Sequence, residues 1–75
     1  MAKLDLRAII ADNLKAHRER AKVSQDEFAD LCGLHRTYIG SVERCERNVT
    51  LATLELLAQS IGCTVPALLT KGAVK

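Results

Sequence analysis

The sequence predicts an all-α chain of five helices, and three observations carry that prediction. One proline and four glycines in 75 residues leave little of the punctuation that strands and tight turns need. Apolar residues recur at three- and four-residue spacings, the period of a helix face. Residues suited to opening and closing helices fall between those stripes: Ser24, Gly33, Thr50, Gly62 and the run Thr64-Val65-Pro66.

Leu6, Ile10, Leu14, His17 and Ala21 draw one face of a long first helix, with Arg7, Lys15 and Arg18 beside it, and Lys22-Val23 breaks the pattern. Ser24-Gln25-Asp26-Glu27 reads as a capping box, in which the serine oxygen takes a free amide of the first turn and Glu27 reaches back. The second helix then runs from Gln25 to Cys32, burying Phe28, Ala29 and Cys32, with Gly33 placed to close it in a left-handed conformation. A third stretch, Arg36 to about Arg44, turns Ile39 and Val42 inward and is expected to present Arg36, Thr37, Gly40 and Ser41 outward. Cys45 to Val49 forms an irregular loop. Thr50 caps a fourth helix whose stripe is Leu51, Leu54, Leu57, Ala58 and Ile61. Proline in the first turn suits a short fifth helix over about 65–70, because that turn needs no amide donor, and 71–75 reads as a frayed tail.

With 48% apolar and 27% charged residues, residues 1–75 fit a single domain with one core. A chain this small hides only about 60% of its unfolded surface, so a second interface would help it. No apolar run approaches the roughly 18 residues of a membrane span, and the N-terminus lacks the apolar core of a signal peptide; a soluble, cytoplasmic chain is expected. Cys32, Cys45 and Cys63 are odd in number and fit no disulfide or zinc spacing, so they read as reduced thiols. His17 and His35 have no carboxylate at ligand spacing, and no cofactor or metal is expected. Ser24 and Ser41 lack histidine and acid partners at fixed positions, and there is no glycine-rich phosphate loop, which removes the support for an enzyme. Net charge is only +2, yet residues 1–23 carry six Lys or Arg against three acids, so the basic excess sits at the front of the chain.

Two short helices joined through a glycine turn, the second one polar, outline a helix-turn-helix over about 24–44. The physical requirement is clear: the major groove admits one helix, which must show side chains able to pair with base edges while its other face stays packed. Arg36, Thr37 and Ser41 meet it on paper.

Ser24-Gln25-Asp26-Glu27-Phe28-Ala29-Asp30, Gly33-Leu34-His35-Arg36-Thr37-Tyr38-Ile39 and Val42-Glu43-Arg44 together resemble the Cro/CI (XRE) helix-turn-helix family, over about residues 10–70. The segment from Leu34 to Ile39 with Glu43-Arg44 and Arg47-Asn48 is most similar to the controller proteins of restriction-modification systems. The resemblance implies a compact, lambda-repressor-like DNA-binding domain, a sequence-specific transcriptional regulator that binds a palindromic operator as a homodimer. Its half-sites would lie about one helical turn, roughly 34 Å, apart. RNA polymerase is a further candidate partner.

Carried over position by position, the resemblance makes Arg36 the first choice for reading bases, its planar fork suiting guanine O6 and N7. Thr37 would touch a thymine methyl or a phosphate, Ser41 would follow on the same face, and Tyr38 would reach the backbone or an adjacent base. Gln25, Arg44, Arg47 and Asn48 fall where the family meets phosphates. His35 stands where a serine or threonine cap is common and would cap, touch phosphate, or both. Arg18 and Glu43 are implied to be a structural ion pair tying the first helix to the recognition helix. Val65, Leu68 and Leu69 are the candidates for the dimer contact, although Leu69 could instead close the core. Relatives commonly have glycine at the position of Cys45, so a side chain there should cost about 1 kcal/mol unless the backbone adjusts; a thiol beside Arg44 and Arg47 also leaves redox sensing open. The alternative from another class is a helix-turn-helix shell that docks a protein partner, as an antitoxin or accessory subunit would, without specific DNA binding.

Overall fold

A computed structural model of the chain describes residues 5–74. Its elements are α1 (Leu6–Ala21), α2 (Gln25–Cys32), α3 (Arg36–Glu43), α4 (Leu51–Ile61) and α5 (Val65–Leu68), with no strand among the described residues. Each boundary has a local chemical cause. Asp5 accepts from the N–H groups of Arg7 and Ala8, and Lys22 ends α1 in a left-handed conformation at φ 58°. The capping box forms as expected: Ser24 Oγ accepts from the Glu27 amide at 3.1 Å while Glu27 Oε1 accepts from the Ser24 amide at 3.0 Å. Gly33 closes α2 at φ +70°, where a Cβ is disfavoured. Thr50 and Thr64 cap α4 and α5 by the same hydroxyl-to-amide bond.

α1 and α2 both pack against α3, while α4 joins α2 to α5 and α5 returns to α1. Phe28, Leu14, Ile39, Leu57, Leu68 and Val42 form the dry centre of the bundle. His17 lies at its edge, half-buried, with its ring 5.7 Å from that of Phe28. No helix among the described residues is long and apolar enough to cross a membrane.

The apolar stripes, expected to be buried throughout, come to the surface at their ends. Leu6 is 43% exposed, Leu51 is 77% exposed, and Ala21 is also at the surface. Leu6 and Leu51 each occupy the first position of a helix, and Ala21 the last of α1. Periodicity identifies a face but not how far along it the neighbours reach. The fifth helix ends at Leu68, and Leu68 is fully buried in the core, so it is removed from the candidate dimer surface. Val65 and Leu69 remain half-buried beside it. Residues 71–74 do not simply fray, since Val74 is buried; Lys75 lies outside the described residues.

A buried amide fixes this C-terminal turn. Asn13, on α1, donates its Nδ2 to the carbonyl of Leu68 at 2.8 Å and to that of Thr70 at 3.1 Å. Carbonyls at a helix C-terminus lack intrahelical partners, so the bond to Leu68 satisfies α5 where its own backbone cannot; the Thr70 carbonyl also accepts from the Ala73 amide at 3.2 Å. An asparagine within an apolar helix face gives no sequence signal of this role.

Candidate nucleic-acid interface

The turn from α2 into α3 positions the site. After Gly33, His35 adopts extended backbone and its Nδ1 accepts from the Thr37 amide at 3.1 Å, capping α3. With Nδ1 turned to the Thr37 amide, the outward donor of the ring is Nε2–H. His35, Arg36 and Thr37 are exposed there, and Tyr38 is half-buried.

The second turn of α3 behaves differently. Gly40, Ser41, Val42 and Glu43 are all buried. Ser41, expected among the base-reading residues, instead donates its hydroxyl to the Thr37 carbonyl at 3.0 Å. The physical reason is enclosure: α1 and α2 cover two sides, and the loop behind closes the rest, with the Glu46 amide bonded to the Ser41 carbonyl at 2.9 Å and the Cys45 amide to that of Val42 at 3.0 Å. At Gly40 a Cβ would stand 3.2 Å from Arg44 Nη1, the movable end of an exposed side chain, and 3.5 Å from Gln25 Oε1, an ordinary contact.

Glu43 anchors the helix. Its carboxylate receives Arg18 Nε at 2.6 Å and Nη2 at 2.7 Å in a fork-to-fork pair, and Gln25 Nε2 donates to it at 3.0 Å. Arg18 Nη1 also reaches the Val23 carbonyl at 3.2 Å. The Glu43 hydrogen bond raises the Arg18 pKa further above its ordinary value, against burial, which lowers it. The expected ion pair is therefore present, with a third member. Gln25, expected to meet a phosphate, gives one of the two hydrogens of its Nε2 to Glu43; it ties α2 to α3 while Arg18 ties α1 to α3. Spacing could not reveal this, because the amide's orientation depends on where α3 lies.

Three exposed arginines flank α3, Arg36 at its start, Arg44 at its C-cap and Arg47 on the loop beyond, each with a neighbour. Arg36 Nη1 lies 3.6 Å from Asp26 Oδ2 on α2, both side chains about two-thirds exposed. Arg44 pairs with Glu46 at 3.2 Å. Arg47 lays its guanidinium 5.1 Å from the centre of the Tyr38 ring, within cation–π range. That stack pins the Cys45–Val49 loop against α3, and Asn48 is exposed on the same loop. Neither the Arg36–Asp26 approach nor the Tyr38–Arg47 stack shows in the sequence, since each joins residues separated by a turn. Cys45 takes the left-handed backbone expected of a glycine, at φ 62°, so the backbone does not adjust.

Comparison with known proteins agrees with this geometry. A family model described as helix-turn-helix matches residues 14–68. The chain is 50% identical over 72 residues to control protein C.SmaI of Serratia marcescens, covering 96% of this chain and 86% of that protein. Its fold is similar to the crystal structure of the hypothetical transcription factor NHTF from Neisseria, with a TM-score of 0.85 and 38% identity over 96% of this chain and 87% of that one. It is also similar to the restriction-modification controller protein C.Esp1396I, solved as a tetramer in complex with its natural 35 base-pair operator, with a TM-score of 0.74 and 28% identity over 84% and 83% of the two chains. On the span of the family match, the identity to the Serratia protein and the capped, anchored α2–α3 pair, the chain belongs to the helix-turn-helix family of the Cro/CI (XRE) type and is similar to restriction-modification controller proteins.

Proposed function

We propose that the protein is a sequence-specific transcriptional regulator that binds a palindromic operator in the cytoplasm as a homodimer and controls a restriction-modification operon. The observation that carries this reading is the division of α3: a second turn locked by Arg18, Gln25 and Glu43, and a first turn that leaves His35, Arg36 and Thr37 exposed. Such a helix can enter a groove without losing its register on the bundle.

Arg36 is assigned to guanine and Thr37 to a thymine methyl or phosphate. Tyr38 contacts the DNA with the edge of the ring that Arg47 does not cover. His35 Nε2–H, Arg44, Arg47 and Asn48 are assigned to phosphates, where sequence is not read. The backbone at the start of α2, carrying Gln25, supplies a further phosphate site. The half-buried Val65 and Leu69 are the candidate dimer contacts, next to a surface groove lined by Ala52, Leu56, Gln59 and Cys63. RNA polymerase is the partner through which an operator-bound dimer would act. A protein-docking module without DNA binding fits less well, because it gives no use to exposed arginines at both ends of α3 and on the loop that follows.

Selection of bound duplexes from a randomised library about 30 base pairs long tests the reading, since that length holds two half-sites one turn apart. A palindromic motif is expected. A folded protein that enriches nothing overturns the proposal and favours protein docking. On the recovered site, Arg36→Ala should cost about 1–3 kcal/mol of binding and relax one base pair per half-site.

A further inference from the structure

The structure assigns a second residue to sequence discrimination: we propose that Asp26 positions Arg36 as a base reader and keeps it from serving as a phosphate clamp. The inference rests on the proposed DNA-binding function.

Arg36 is the first residue of α3, where the positive end of the helix dipole disfavours a cation. Asp26 is in the first turn of α2, and its carboxylate faces Arg36 across a cleft also lined by Asp30, Leu34, His35 and Thr37. The separation of 3.6 Å between Arg36 Nη1 and Asp26 Oδ2 is a loose ion pair, and both side chains are well solvated. In water such a pair is weak. Under a bound duplex the water leaves and the same attraction strengthens.

The guanidinium has donors on more than one edge. Guanine O6 and N7 take two from one edge, and the carboxylate of Asp26 lies beside Nη1 to attract another. Held on one side, the guanidinium stays aligned with the two acceptors of guanine, whereas adenine offers one acceptor and a donor that a guanidinium cannot match; released, it leaves the base for a phosphate and no longer separates the two. The carboxylate also repels phosphate from the place where Arg36 would otherwise find it. Asp26 thus lowers affinity for DNA in general and raises discrimination at one base pair. Asp26 is a positioning residue, acting on the base through Arg36.

The two effects have opposite signs, which separates this role from a structural one. On the site found by selection and on a duplex of scrambled sequence, Asp26→Asn should bind the scrambled duplex as tightly as the parent or a few-fold more tightly. Its discrimination between guanine and adenine at the Arg36 base pair should fall by about fivefold or more, the lower edge of what one bidentate pair is worth. In an Arg36→Ala background the same change should leave discrimination untouched. Asp26→Glu, which keeps the charge, should retain most of it. Asp26→Ser, a residue tolerated in a first helical turn, repeats the measurement should the asparagine variant melt early. Unchanged discrimination in Asp26→Asn, equal weakening on all sequences, or an effect that persists without Arg36 would each overturn the proposal. A parent protein that selects no motif refutes the DNA-binding reading itself, and a parent whose base preference survives Arg36→Ala refutes the role of Arg36, so the three failures are distinguishable.

Discussion

At the scale of single residues, one side chain stands under backbone strain and another is buried but held by its partners. Cys45 stands at φ 62°, in the left-handed region where a Cβ costs about 1–2 kcal/mol. Cys45→Gly should therefore stabilise the domain by about 1 kcal/mol, which for a chain of this size is a rise of about 4–8 °C in Tm. A melting temperature that fell instead would show that the half-buried thiol contributes more by packing than it costs in strain. Glu43 makes the opposite case. It is almost fully buried, receives two bonds from Arg18 and one from Gln25, and has no apolar role. Glu43→Ala strands the Arg18 guanidinium and should cost about 3–5 kcal/mol, read from the urea midpoint. A loss under 1 kcal/mol would mean that the pair does not hold α1 to α3. Cys32 and Cys63 are quieter: burial pushes both thiols up, which favours their protonated forms.

At the scale of elements, the helices are defined by their ends. The Glu27 carboxyl is held below the usual carboxylate range chiefly by the Ser24 backbone amide, and then by the Ser24 side chain. A depressed folded value contributes stability that is present above the unfolded carboxylate range and is lost as pH falls through the folded value. Urea unfolding at pH 7 and pH 3 should therefore show a smaller acid-induced loss in Glu27→Gln than in the parent; equal losses would remove Glu27 from the acid response. For α3 the cap is His35, and His35→Ala should cost about 1 kcal/mol while His35→Ser restores it, a serine being an equal or better acceptor for the Thr37 amide. If serine were no better than alanine, the imidazole would not be acting as a cap. These ends were readable in the sequence because capping is local: Ser24, Gly33, Thr50, Gly62 and Thr64 act within four residues of themselves. Which side of α3 is open was not readable. Ser41 lies one turn beyond Thr37 and looked equally exposed until the loop at Glu46 returned over it.

At the scale of the whole molecule, the C-terminal turn divides its apolar residues between core and surface. Leu68 is fully buried, whereas Val65 is half-buried beside the groove proposed for the dimer. Leu68→Ala should cost about 2–5 kcal/mol of folding stability. Val65→Asp should leave the fold cooperative and shift the protein to a monomer in sedimentation at micromolar concentration. A dimer that survives Val65→Asp would place the interface elsewhere on the bundle. Asn13 ties this turn to α1, since its amide holds the Leu68 carbonyl that a four-residue helix cannot satisfy internally and shares the Thr70 carbonyl with the Ala73 amide. The sequence by itself determined the number and order of the helices, their caps, and the placement of Arg36 and Thr37 at the head of the recognition helix. All of these follow from interactions spanning one turn or from a linear motif. Only the tertiary structure decided that Gln25 binds Glu43, that Ser41 and Leu68 are inside, and that Asp26 meets Arg36. Each of those depends on which helix faces which, and side-chain exposure is a property of the neighbours as much as of the residue.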